Sequence, residues 1–265
     1  MNQNPERTPQ TLTFLNAPDV EQTGLRSQFY DKFNIRYHIS QIFKNVWNDP
    51  WYRNKVIAES RNSEQFIRFA NLLNNDVTYL LDESLSKLAE INAIQAEMAT
   101  PGFSSQPAQY KKEKDTQMAQ AERQASGYMS LGNETVHMLQ YMTADPKIIS
   151  PFMAPEVVDR LAAMLDYNLN TLVGPKSTDL KVKNPEKYRF NPRVLLTMII
   201  DVYLNLSHRR EFVEAVAKDT RSYRKEIFVK ACGILTRNNL KSAVRPSNLP
   251  PSLFMPPILT SHSHL

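Results

Sequence analysis

Apolar residues recur at spacings of three and four along most of this chain, the signature of helices that bury one face. Ile35, Ile39, Ile42, Phe43 and Val46 predict a helix from about Ser27 to Asn48, which Asp49-Pro50 ends. A short helix near Pro50 carries Trp51, Val56 and Ile57. After Asn62 or Ser63 a helix buries Phe66, Ile67, Phe69, Leu72 and Leu73, and Asn75-Asp76 reads as its interruption. A longer helix is expected from Asp76 to Ala99, with Asp76 as its N-cap, until Thr100-Pro101-Gly102 stops it. Residues 107–124 are mostly polar and read as an exposed helix or hairpin arm. Gly127 reads as a break before a helix over 128–141. Pro155 opens the strongest amphipathic segment, running to Val173. Further helices are expected from Pro192 through Leu206, from His208 to Lys218, and from the turn at Asp219 to about Arg237.

One stretch interrupts this rhythm. LVGPKSTDLKVKNPEKYRFNPRVLL, from Leu172 to Leu196, holds a helix stop, a charged connector and a helix start. Gly174 is expected to close the preceding helix in the left-handed conformation, and Pro175 to prevent its resumption. Asn191-Pro192 supplies an N-cap and a first helical position. A connector this long is expected to be ordered against the core and to shape a partner surface.

Eight or more helices in pairs, with no convincing alternating strand, predict an all-α chain. The expected architecture is an armadillo/HEAT-like α-solenoid with degenerate repeats, since no strict sequence period is visible. The organisation divides into a flexible lead-in (1–25), a helical domain (26–240) and a Pro-rich tail (241–265) expected to be disordered.

Composition narrows the function classes. The N-terminus lacks an apolar signal core, and no segment approaches the roughly 18 apolar residues that span a membrane. The chain therefore reads as soluble and intracellular, without a membrane partner. Its single cysteine, Cys232, excludes an intrachain disulfide and reads as a small buried residue. The net charge of +5 is uneven: from Lys176 onward there are 16 Lys/Arg against 7 Asp/Glu. That basic third raises nucleic acid as a partner, but its charges alternate with helical apolar positions and read better as a solvated exterior.

No catalytic, cofactor-binding or metal-ligating set emerges. Asp82 and Glu83 are adjacent and diverge by about 100° on a helix. His38, His137 and His208 stand singly, and His262 and His264 lie in the tail. A structural zinc site needs four ligands at suitable spacing, and none appears. GPK at Gly174 lacks the other glycines of a phosphate loop. Trp47 and Trp51 read as packing at a helix corner, with an exposed aromatic anchor as the other reading. The candidate partner-facing residues are Lys176, Lys181 and Lys183 on the connector, with Arg221 and Arg224. The last two precede a helix start, where cations oppose the helix dipole; Asp219 or Glu226 is their expected local partner.

Five runs together resemble the core of the ubiquitin chain-elongation factors, the large U-box ligases of the ubiquitin-fusion degradation pathway. They are IRYHISQIFKNVWNDPWYRN from Ile35, FANLLNNDVTYLLDESLSKL from Phe69, SPFMAPEVVDRLAAMLDYNLNTLVGPK from Ser150, LKVKNPEKYRFNPRVLL from Leu180 and FVEAVAKDTRSYRKEIF from Phe212. The resemblance covers residues 28–237. It implies an armadillo-like scaffold in the cytoplasm and nucleus that takes part in polyubiquitination for proteasomal degradation. The implied partners are a ubiquitin-conjugating enzyme, recruited through a U-box, ubiquitinated substrates, an AAA-type unfoldase and proteasome shuttle proteins. In that family the ligase holds donor and acceptor close, and none of its residues attacks the thioester. The sequence ends in SNLPPSLFMPPILTSHSHL where the family continues into a U-box, so this chain is expected to be inactive alone. A helical adaptor that binds the unfoldase or substrate without ligase activity is the alternative.

Overall fold

The computed structural model describes residues 32–61 and 63–238. Its elements there are all helical: α1 (Lys32–Asn48), α2 (Pro50–Glu59), α3 (Ser63–Met98), α4 (Ala108–Thr143), α5 (Pro155–Val173), α6 (Pro192–Leu206), α7 (Arg210–Lys218) and α8 (Lys225–Arg237). Short 3-10 turns sit at Pro101–Phe103, Ser150–Met153, Pro175–Thr178 and Pro185–Tyr188. The lead-in over 1–25, the expected first-helix residues 27–31 and the tail over 241–265 lie outside the described residues.

Two 36-residue helices form the spine. α3 and α4 are antiparallel: Gln117 Nε2 donates to Glu90 Oε1 at 3.2 Å, and Lys114 Nζ lies 2.9 Å from Glu97 Oε2. Tyr79 and Tyr128 meet edge-on farther along, with ring centroids 5.9 Å apart. α1 runs alongside α4 in the same direction, from the Phe33–Tyr128 ring pair (5.3 Å) to Trp47–Tyr141 (5.3 Å). α6 does likewise and ends where Asn205 Nδ2 donates to the Gln140 carbonyl (3.1 Å) and Thr143 Oγ1 (3.2 Å). α5 packs on α3, where Tyr167 donates to Asp82 Oδ1 at 3.1 Å, and α7 and α8 pack on α5.

The sequence divides both spine helices, and the structure joins each into one. Asn75-Asp76 does not interrupt α3, because Phe69, Leu73, Val77, Leu80 and Leu81 keep the buried stripe unbroken across it. Asp76 is not an N-cap; its carboxylate pairs with Arg36 of α1. Gly127 does not break α4, because Ala121, Ala125 and Met129 carry the buried face past it. Small alanines on that face hide the period from a search for large apolar residues, yet they let two long helices approach closely.

The core runs through all layers. Leu80, Leu81, Leu88 and Ile91 are fully buried, as are Phe66, Phe152, Phe212 and Phe228. The buried hydroxyls of Ser84, Thr135 and Thr143 donate to carbonyls of Leu81, Leu131 and Leu139, which satisfies them without a partner helix. At the α1–α2 corner Asp49 Oδ1 accepts from Trp51 N at 2.8 Å, capping α2. The two tryptophans there divide: Trp47 packs against Phe43 and Tyr141, whereas Trp51 is 59% exposed with the Lys55 ammonium 4.1 Å from its ring centre.

Candidate partner surface

Gly174 does not take the left-handed conformation expected of it. Its backbone is extended (φ −73°, ψ −170°), as fits a residue preceding proline. Glycine is needed there for room: a Cβ would overlap the carbonyl oxygen of Asn170. The left-handed positions are Asn184 (φ 53°) and Arg189 (φ 54°).

Arg189 closes the turn Pro185–Tyr188. Its N–H reaches the Glu186 carbonyl at 3.0 Å, and the Phe190 N–H reaches the Pro185 carbonyl at 3.0 Å. This is the Schellman pairing, with arginine at the position usually given to glycine. The reversal lets Tyr188 and Phe190 both enter the core while Arg189 stays outside.

The connector is clamped to the spine along its length. Lys183 N–H donates to Gln95 Oε1 of α3 at 2.8 Å. The Tyr188 hydroxyl donates to Glu122 Oε1 of α4 at 2.8 Å, and Lys187 Nζ lies 2.7 Å from the same oxygen. Burial works against ionising Glu122, but those two bonds outweigh it and hold the carboxyl below its usual range. Burial and that carboxylate push the Tyr188 phenol up to about 12. Arg189 donates to Ser130 Oγ at 3.0 Å, and its carbonyl accepts from Asn133 Nδ2 at 2.9 Å. Asn191 Oδ1 then caps α6 by accepting from Arg193 N and Val194 N, each at 3.2 Å. The expected ordering against the core is therefore present in these bonds.

The five sequence-predicted cations do not form one cluster. Lys176, Lys181 and Lys183 are exposed along the connector. Arg221 and Arg224 lie in the turn between α7 and α8. Their expected carboxylate partner is absent among the described residues: Arg224 donates to the Thr220 and Tyr223 carbonyls at 3.3 and 2.7 Å. Asp219 Oδ1 accepts instead from the backbone N–H groups of Arg221 (3.0 Å) and Ser222 (3.4 Å).

Sequence reasoning missed a groove beside the connector. α1 supplies Phe33, Tyr37 and His38, α4 supplies Gly127 and Ser130, and the connector supplies Arg189, around a cleft of about 390 Å³. The Arg189 guanidinium carbon lies 5.9 Å from the Tyr37 ring centre, within reach of a cation–π contact. Three segments far apart in sequence build this cleft, so no local motif announces it. Gly127 in the middle of α4 was its one trace.

The acid–base candidates are dispersed. Asp76 and Asp82 have separate partners, Arg36 and Tyr167. Cys232 is buried, and burial raises its thiol pKa, which disfavours a thiolate nucleophile. The most perturbed carboxyl is Asp166, pushed up to about 8 by burial, with Asp219 adding to the shift and a 2.6 Å hydrogen bond from Tyr203 opposing it. Both partners are sealed in the core, where they join α5 to α6. Among the described residues no group of three or more His, Cys, Asp or Glu is placed to hold a metal ion. No described helix is long and apolar enough to cross a membrane.

Comparison with known proteins gives this arrangement its family. Residues 17–249 match the family model of the ubiquitin elongating factor core. The ubiquitin conjugation factor E4 of Schizosaccharomyces pombe is 50% identical over 226 residues, covering 85% of this chain and 22% of that protein. The E4 ubiquitin-protein ligase UFD2 of Saccharomyces cerevisiae is 45% identical over 222 residues, covering 82% and 23%. The probable ubiquitin conjugation factor E4 of Arabidopsis thaliana is 40% identical over 225 residues, covering 83% and 22%. The chain thus spans a little over a fifth of the length of these relatives, and with the family model matched over most of its own length it belongs to the ubiquitin elongating factor core family.

Proposed function

We propose that this chain is scaffold from a ubiquitin chain-elongation ligase, the part that helps hold an already ubiquitinated substrate while its chain is extended for proteasomal degradation. The observation that carries this reading is the family match over 17–249, joined to relatives that are named for ubiquitin conjugation. The geometry agrees with a scaffolding role. The connector is locked to both spine helices at Gln95, Glu122 and Ser130 while Lys176, Lys181 and Lys183 point to solvent. A rigid platform with an exposed charged edge holds partners near one another, which raises their effective concentration without bond chemistry of its own.

In this reading transfer itself is done by a ubiquitin-conjugating enzyme recruited through a U-box. An AAA-type unfoldase and proteasome shuttle proteins are the further partners, in cytoplasm and nucleus. The pairs α3–α4 and α5–α6 are read as successive degenerate repeats of armadillo or HEAT type, whose outer faces are open to such partners.

The test is capture of a substrate bearing a short ubiquitin chain by the immobilised protein, with the unmodified substrate as control. The expected result is retention of the ubiquitinated form only, weakened by K176E, K181E and K183E combined. Equal retention of both forms, or retention of duplex DNA in preference to either, would overturn the proposal.

A further inference from the structure

Arg61 and Lys147 come from distant parts of the chain and line one cavity of about 230 Å³. Arg61 follows the end of α2, and Lys147 lies in the turn after α4. Ser60, Ile67, Ser150 and Pro151 complete the wall. Both cations are exposed, and no carboxylate among the described residues pairs with either. Asp145, two positions before Lys147, serves its backbone N–H at 3.0 Å rather than its ammonium.

Cations often sit just past a helix, where they meet its last carbonyls and the negative end of its dipole. That role is already filled here. The Val56 and Ala58 carbonyls of α2 accept from the Ser60 and Arg61 N–H groups at 3.0 and 3.2 Å. The Ile57 carbonyl accepts from Ser60 Oγ at 2.7 Å. In α4 the Gln140 and Met142 carbonyls accept from the Ala144 and Asp145 N–H groups, each at 3.2 Å. Capping therefore explains neither cation, and like charges that share a wall repel one another until an anion joins them. The frame that holds them is preformed. Ser60 and Pro151 are buried, and Ile148, Ile149 and Phe152 anchor the second turn in the core, so little ordering is left for a ligand to impose.

We propose that this cavity binds a phosphate dianion between Arg61 and Lys147, carried on a side chain of a partner or free in solution. Two cations match two negative charges, and the guanidinium fork matches two phosphate oxygens. A carboxylate carries one charge and leaves the second cation unmet. The Ser150 hydroxyl, exposed and bonded to no described residue, adds a donor. Ser60 adds shape only, since its proton is committed to the Ile57 carbonyl. Ile67 and Pro151 suit the alkyl stem of a phosphorylated side chain, whereas free phosphate leaves them uncovered.

The inference does not rest on the ubiquitin reading and is tested without it. A short labelled peptide with a central phosphoserine is titrated with the full 265-residue chain, beside the same peptide with serine. Salt is held at about 0.1 M, where exposed charges are screened beyond about 10 Å and remote lysines contribute little. The phosphorylated form is expected to bind at least about tenfold tighter than the serine form. R61Q and K147Q are each expected to weaken it at least about fivefold with the melting temperature unchanged, since neither side chain bonds to the fold. R61K keeps the charge without the fork and is expected to fall between. K112Q removes the same charge from an exposed position on α4 and is expected to change nothing. Inorganic phosphate, added as competitor, separates the two sources: competition as tight as the phosphopeptide assigns the site to the free ion, and weaker competition to a phosphorylated side chain. Equal binding of the two peptides with no competition by phosphate would overturn the proposal. So would a loss in K112Q as large as in R61Q, which would reduce the attraction to diffuse surface charge.

Discussion

Single residues in this chain take roles that only their surroundings explain. Gly174 is the clearest. The sequence shows why a helix ends there, since proline follows, but a clash with the Asn170 carbonyl is invisible until α5 and the connector are placed. Gly174→Ala is therefore expected to destabilise the protein by about 1–3 kcal/mol in denaturant unfolding, the usual cost of forcing atoms into a filled space. Asp166 is a second case. Its folded-state pKa of about 8 lies far above the ordinary carboxylate value near 4, so the folded chain binds the proton more tightly than the unfolded one. The contribution of Asp166 to stability is greatest below about pH 4 and declines as pH rises toward and through 8. Asp166→Asn keeps an acceptor for the Tyr203 hydroxyl and removes the titration. Unfolding curves from pH 5 to 9 are expected to show the variant gaining on the parent as pH rises; a constant difference would contradict the assignment. Cys232 and the buried Trp47 behave as the sequence suggests, because their apolar spacing alone decides where they point.

Whole elements were legible where large apolar residues carry the period and capping residues mark the ends. α5 begins at Pro155 and ends at Val173 as its pattern predicts, and Asn191 caps α6. Asn191→Ala is expected to cost about 1 kcal/mol through loss of two N–H partners, read as a lowered melting temperature. The two spine helices were illegible as single elements for opposite reasons. In α3 a polar pair, Asn75-Asp76, looked like a break, yet long-range packing and the Arg36 pair hold it helical. In α4 the turns just before Gly127 bury Ala121 and Ala125, which a search for large apolar residues overlooks. The connector was expected to be ordered, but its means of attachment was not readable, since Gln95, Glu122, Ser130 and Asn133 come from helices far away in sequence. Tyr188→Ala removes both a buried ring and the Glu122 bond. It is expected to raise hydrogen exchange across 180–190 strongly while α3 and α4 stay protected; unchanged connector exchange would show that the clamp lies elsewhere.

In the molecule as a whole, the antiparallel spine, the flanking α1 and α6, and the α5, α7 and α8 layer make a framework whose polar groups serve structure more than chemistry. Of the carboxylates that the sequence singles out, Asp76 pairs with Arg36 and Asp82 with Tyr167, so these two share no reacting site. What remains to work with is surface: an exposed lysine edge and a groove. The family was readable in the five quoted runs because they coincide with the folded helices and the connector. The five cations were not readable as a surface, because the fold puts three on the connector and two beyond α7. The central claim, that this framework serves ubiquitin chain elongation, is tested most directly by exchange. The matching 226-residue segment of the Schizosaccharomyces pombe relative, 50% identical, is replaced by that of this chain, and ubiquitin addition to a pre-ubiquitinated substrate is followed. The account predicts that the chimera extends chains at a rate within about tenfold of its parent. A folded chimera that still binds its conjugating enzyme but extends no chain would contradict it.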